Sequence, residues 1–96
     1  MDRWAIRIPA ENIVLLTDVY DPVEQVLYEA KATSSRGNVR MALGQLLDYK
    51  RHIEVPQLRT RLLVPERPSA DLLDLMRRNA VGLAYATDGG DFSIED

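Results

Sequence analysis

Leu16-Thr17-Asp18-Val19-Tyr20-Asp21-Pro22-Val23-Glu24-Gln25-Val26-Leu27-Tyr28-Glu29-Ala30-Lys31 is the stretch on which the fold of this 96-residue chain turns. Its first part completes a β-branched and apolar run, Ile13 to Tyr20, that predicts a central strand. Asp21-Pro22 interrupts the run, because proline lacks an amide donor and biases the residue before it away from helix. A hairpin is therefore expected about Asp21 to Glu24, with Gln25 to Ala32 as the return strand. On that strand Val26, Tyr28 and Ala30 face one side, and Leu27, Glu29 and Lys31 face the other.

Toward the N-terminus, Trp4, Ile6 and Ile8 alternate with Ala5 and Arg7, the period-two pattern of a strand with one buried face. That context assigns Trp4 to the core rather than to a base-stacking platform. Toward the C-terminus, Thr33-Ser34-Ser35-Arg36-Gly37-Asn38 is a loop rich in capping residues. It leads into a helix over Val39 to Ile53, in which Val39, Ala42, Leu43, Leu46 and Leu47 recur at helical spacing. Val55-Pro56 ends the helix, Leu58 to Val64 reads as a buried strand, and Pro65 to Pro68 turns the chain. Ser69 caps a second helix, Ala70 to Asn79, whose apolar face is Leu72, Leu73, Leu75 and Met76. Val81 to Ala86 is a short strand, Asp88-Gly89-Gly90 a turn, and Phe92 to Ile94 a small edge strand. The acidic tail, Asp88 to Asp96, reads as a solvated end that would repel DNA.

The order β-β-β-α-β-α-β predicts an α/β fold, a mixed β-sheet flanked by helices. No repeat, low-complexity tract or Gly/Ser-rich linker divides residues 1–96, so a single domain is expected. The apolar fraction of 46% suits a globular protein with one modest core. A formal charge of -3 argues against unselective nucleic-acid binding. It does not exclude a nuclease, because carboxylates that collect divalent cations present the ion's charge to a phosphate. The absence of cysteine excludes disulfides and thiolate metal sites. The apolar runs are too short to span a bilayer, and the first residues lack a signal-peptide core, so a cytoplasmic location is expected.

The chemistry resides in the hairpin. Glu29 and Lys31 stand two apart on a strand and share a face, and folding the hairpin brings Asp18 opposite or diagonal to Glu29. Like charges so placed destabilise a sheet unless something binds between them, and Mg²⁺ takes one or two carboxylates together with waters and phosphate oxygens. The Ala30 carbonyl adds a further ligand. Lys31 would set a point charge against the phosphate and orient or help deprotonate the attacking water. The competing reading of an acid and a Glu-x-Lys is a surface ion pair; the apolar setting of both strands disfavours it, since buried charges need partners. On the following helix Gln45 and Tyr49 are four apart on one face, with Asn38 and His52 roughly in line. Taken by itself, that polar stripe is better read as a solvated helix face. His52 is either a general base or a helix-end residue that complements the dipole, and the second reading is favoured.

The stretches Leu16-Thr17-Asp18-Val19-Tyr20-Asp21, Leu27-Tyr28-Glu29-Ala30-Lys31, Arg36, and Val39-Arg40-Met41-Ala42-Leu43-Gly44-Gln45-Leu46-Leu47-Asp48-Tyr49 together resemble the PD-(D/E)xK restriction-endonuclease-like superfamily. The similarity is to the branch with a Q-x-x-x-Y motif after the lysine strand, found in actinobacterial restriction-type proteins. It extends over Leu62-Leu63-Val64-Pro65-Glu66-Arg67-Pro68 and Asp71-Leu72-Leu73. The resemblance implies a restriction-endonuclease-like fold and metal-dependent hydrolysis of DNA, in restriction or DNA defence. It implies that Asp18 and Glu29 hold Mg²⁺ or Mn²⁺, that Lys31 assists the water, and that Gln45 and Tyr49 contact the site or the DNA backbone. Arg36 and Arg40 match basic positions expected to contact phosphate. Such domains usually open with a helix carrying another acid, whereas this chain starts almost directly at a strand. Either that helix was lost, or a partner chain supplies it, or the piece is truncated. A non-cleaving nuclease-fold module working with a partner chain is accordingly the alternative expectation, and a homodimer that completes each core by exchange is a further one.

Overall fold

The structure, a computed structural model, describes residues 5–8, 13–16, 19–87 and 91–96, with side chains from Tyr20 onward. Trp4, Asp18 and the Asp88-Gly89-Gly90 turn lie outside the described residues. β1 (Ala5–Ile8) and β2 (Ile13–Leu16) form a two-stranded antiparallel sheet of their own. A second, five-stranded mixed sheet runs β3 (Val19–Asp21), β4 (Val26–Ala30), β5 (Arg59–Val64), β6 (Val81–Ala86), β7 (Phe92–Glu95) in spatial order. Its β4–β5 and β5–β6 pairings are parallel, and the outer two are antiparallel. The expected strand from Ile13 to Tyr20 is thus two strands in two sheets, and its second part lies at an edge rather than at the centre. Ile13-Val14-Leu15-Leu16 is apolar without alternation, so no period-two pattern marks where pairing changes partner.

The β3–β4 hairpin forms as its turn chemistry dictates. Asp21 Oδ1 accepts from the amides of Val23 at 3.0 Å and Glu24 at 3.2 Å, the local bonding that makes aspartate a turn former. Gln25 closes the turn at φ 57°. Helix α1 (Arg36–Lys50) begins three residues before the apolar repeat, because Ser35 caps it by accepting from the Asn38 amide. It ends at Lys50 rather than Ile53, and a tight turn follows in which the His52 amide donates to the Tyr49 carbonyl. Helix α2 (Ala70–Arg78) starts at Ser69, whose hydroxyl accepts from the Leu72 amide. Asn79 stops it by donating its side-chain amide to the Leu75 carbonyl.

Parallel neighbours require crossovers, and crossovers between parallel strands are right-handed. Because β4, β5 and β6 advance in one direction across the sheet, α1 and α2 must both lie on the same face. The core forms there. Leu27, Leu62 and Leu83 from three adjacent strands pack against Val39, Ala42 and Leu46 of α1 and Leu72 and Met76 of α2, all nearly or fully buried. Leu47, expected in this stripe, is 39% exposed at its border. The opposite face carries Tyr28, Arg61, Gly82 and Ala84, with Phe92 and Ile94 exposed at the β7 edge. Among the described residues no helix is long and apolar enough to cross a membrane.

Leu46 is fully buried at the centre of this layer. Leu46→Ala is expected to lower the free energy of unfolding by about 2–5 kcal/mol in urea titrations, whereas Leu47→Ala should stay within about 1 kcal/mol of the parent.

Candidate active site

Alternation along β4 places Leu27 in the helix-face core, and therefore Glu29 on that same face. Glu29 is 3% exposed, a burial that a carboxylate tolerates only with partners. Lys31 lies just beyond the strand but remains in register, its amide donating to the Leu63 carbonyl at 3.0 Å. Its Nζ is 3.5 Å from Glu29 Oε1, and its side chain is 14% exposed. The two residues expected to share a face do share it, at the C-terminal end of an interior strand. Ala30, between them, faces the other side and is exposed.

Tyr49 of α1 is 7% exposed and belongs to the core, while Gln45, one turn earlier, is half-buried at the border of the packed face. The Gln45 side-chain amide donates to the Tyr49 hydroxyl at 3.4 Å, so the i, i+4 pair is a physical contact. Gln45 Oε1 is buried and makes no hydrogen bond among the described residues. The rest of the predicted stripe is otherwise engaged. Asn38 donates to Thr33 Oγ1 at 2.8 Å and braces the loop before the helix. His52 lies in the turn after α1, where its Nε2 is 3.9 Å from Asp48 Oδ1.

Arg36 and Arg40 do not line up with this group. At 3.6 residues per turn they lie roughly 140–180° round the axis of α1 from Gln45. Arg36 instead faces α2, donating to Asp71 Oδ2 at 2.7 Å, and Arg40 is exposed. The Gln45 border consequently looks away from α2, toward the β3 side of the sheet.

A second charged cluster, on the opposite sheet face, has no counterpart in the expectations. Arg61, 6% exposed on β5, donates through Nε to Asp96 Oδ1 at 2.8 Å and through Nη2 to Asp96 Oδ2 at 2.6 Å. Its Nη1 donates to the Tyr28 hydroxyl at 2.9 Å. These bonds, led by that to Asp96 and opposed by desolvation, raise the Arg61 pKa, and the Arg61 guanidinium holds the Asp96 carboxyl below its ordinary range. Glu95 is likewise lowered, chiefly by the hydrogen bond from Arg67. The tail read as a solvated acidic end is therefore a strand whose terminal carboxylates are paired. Its signal was present in Leu58 to Val64, since an arginine at the middle of a buried strand requires a carboxylate from somewhere in the fold.

Among the described residues no group of three His, Cys, Asp or Glu side chains is arranged to hold a metal ion. The donors present on the helix face are hard oxygens and an amine, the set that suits Mg²⁺ or Mn²⁺ rather than a soft metal. No protein-family model, no curated protein and no solved structure matches this chain.

Removing the ammonium from beside a buried carboxylate exposes that carboxylate's desolvation penalty. Lys31→Ala is therefore expected to lower stability at pH 7 by roughly 3 kcal/mol in denaturant unfolding, with part of the loss restored by adding Glu29→Gln. Arg78→Ala, which breaks an exposed helical pair with Asp74, should produce no measurable change.

Proposed function

We propose that this domain is a metal-dependent phosphodiesterase of the PD-(D/E)xK type that acts on DNA, with a restriction-endonuclease-like sheet and with Glu29 and Lys31 at its reacting centre. The observation that carries the reading is the burial of Glu29 beside Lys31 at the end of β4, on the face covered by α1. A carboxylate and an ammonium held together in a core are poor stabilisers compared with apolar residues of similar size, so their presence calls for a chemical use. The reading requires Asp18, which lies outside the described residues, to stand opposite or diagonal to Glu29 as the hairpin pattern of the sequence leads one to expect.

Mg²⁺ or Mn²⁺ would be held by Glu29 and Asp18 with the Ala30 carbonyl, and when bound would polarise the phosphate and make its water acidic. The chain's own residues divide the remaining work. Lys31 sets its positive charge where the phosphoryl oxygens gain negative charge, and it orients the attacking water. Gln45 Oε1, buried and without a hydrogen bond among the described residues, offers an acceptor on the packed side of α1, and its amide is steadied by Tyr49. The α1 and β4 side chains limit bulk water around Glu29.

A second reading, a nuclease-fold module that binds a partner chain and does not cut, is favoured by one observation. Among the described residues, Arg36, Arg51, Arg59, Arg61, Arg67 and Arg78 each pair with a carboxylate, so these cations are already engaged rather than open to a phosphate backbone. Cleavage of supercoiled plasmid DNA in Mg²⁺ or Mn²⁺ separates the readings. The nuclease reading predicts cleavage that chelation stops, and that Glu29→Ala or Lys31→Ala reduces on the order of 10²-fold or more. Cleavage that persists in both variants would refute the site, and absence of cleavage together with absence of calorimetric Mn²⁺ binding would leave the module.

A further inference from the structure

β7 is attached to the domain differently from the strands beside it. Its large apolar side chains, Phe92 and Ile94, point to the helix-free face and are 57% and 52% exposed. Burial consequently contributes little to holding it. The attachment comes from the antiparallel ladder to β6 and from two charged clasps at its C-terminal end. On the helix face, Arg67 grips Glu95 with Nε to Oε2 at 2.8 Å and Nη2 to Oε1 at 3.0 Å. On the other face, Asp96 reaches past β6 to the fork of Arg61 on β5, with Arg59 Nη1 3.5 Å from the same carboxylate.

The second clasp depends on an absent side chain. Gly82 of β6 lies beneath the crossing, and a Cβ there would overlap the Asp96 carboxylate and press on Arg61 Cγ. The two clasps also differ in strength. The Arg67–Glu95 pair is solvated and screened by salt. The Arg61–Asp96 pair is two-pronged on a guanidinium whose side chain is 7% exposed, the geometry in which ionic hydrogen bonds are strong. Next to both clasps lies a cleft of about 280 Å³ between α2 and the sheet, floored by Leu73, Met76, Val81 and Leu83, with Glu95 and Asp96 in its wall.

We propose that β7 and Asp96 form a strap that opens as a local unit to widen this cleft, and that the Asp96 clasp over Gly82 sets how often it opens. A strand held by a ladder and by ion pairs at its two terminal carboxylates, with its apolar side chains in solvent, belongs to the low-stability end of a fold, whereas β4 and β5 open only with the whole domain. Opening exposes the apolar floor of the cleft without disturbing the layer beneath α1.

Acid is the natural release. Asp96 faces Arg61 and Arg59, with Tyr28 bonded to Arg61, and Glu95 faces Arg67, Arg77 and Tyr85. Both carboxyls are held below their ordinary values. Their contribution is therefore complete above the unfolded carboxylate range and is lost as pH falls through the lower folded values, below about pH 4. At neutral pH the strap is closed most of the time.

Native-state hydrogen exchange followed by NMR tests this, with Asp96→Asn as the first variant and Gly82→Ala as the second. The amides bonded in the β6–β7 ladder are expected to exchange about tenfold faster at pH 7 in Asp96→Asn, while those of Leu27 and Leu62 keep the parent rate. Gly82→Ala, where it folds, should reproduce the effect, and the parent should show it on acidification. Unchanged β7 protection in Asp96→Asn would overturn the proposal. So would an equal acceleration at Leu27 and Leu62, which would make β7 part of the global unit.

Discussion

Val26 to Ala30 runs beside Arg59 to Val64 in the same direction, and that parallel pairing is the constraint from which the rest of the domain follows. Parallel strands cannot be joined by a tight turn, so the chain has to leave the sheet and return over one face. The same step is repeated from β5 to β6, and handedness then places both helices on one side. The face of β4 that carries Leu27 and Glu29 becomes an interior surface. Glu29 is buried because of topology and not because of anything local to Tyr28-Glu29-Ala30-Lys31.

Burial changes what each charged residue must do. A carboxylate in that layer needs a counter-charge, and Lys31 at the strand end provides one within the sheet's own periodicity. Arg61, on the other face of the adjacent strand, meets the same demand with a partner from far along the chain. The two solutions differ in completeness. Arg61 spends its fork on Asp96 and its remaining nitrogen on Tyr28, which is what a structural network looks like when every group is satisfied. On the helix side, Gln45 retains a buried oxygen without a hydrogen bond among the described residues, and a buried acceptor left open favours any group that can donate to it.

Short-range patterns were readable in the sequence, and long-range pairings were not. The alternation of Val26 to Lys31 placed Glu29 and Lys31 on one face because a strand's period is two whatever surrounds it. The repeat of Val39, Ala42, Leu43 and Leu46 identified the packed face of α1 for the equivalent reason. The start of that helix was missed because Ser35 caps a first turn made of Arg36, Gly37 and Asn38, which carries no apolar residue to register in a periodic pattern. The division of Ile13 to Asp21 between two sheets was hidden by four consecutive apolar residues. Helix geometry separates Arg36 and Arg40 from Gln45 in the sequence itself, yet only the bond from Arg36 to Asp71 shows which neighbour each side faces. The Arg61–Asp96 bond joins residues 35 apart, so the arginine within Leu58 to Val64 signals the need for a carboxylate but not which one.

In the proposed function, Glu29, buried at the end of β4, is a ligand to a divalent cation. Crystals soaked in Mn²⁺ and measured near the manganese absorption edge test it directly. An anomalous peak is expected within bonding distance of the Glu29 carboxylate, on the face covered by α1, and it should vanish in Glu29→Gln crystals. Manganese found only at surface carboxylates, with Glu29 still paired with Lys31, would contradict it.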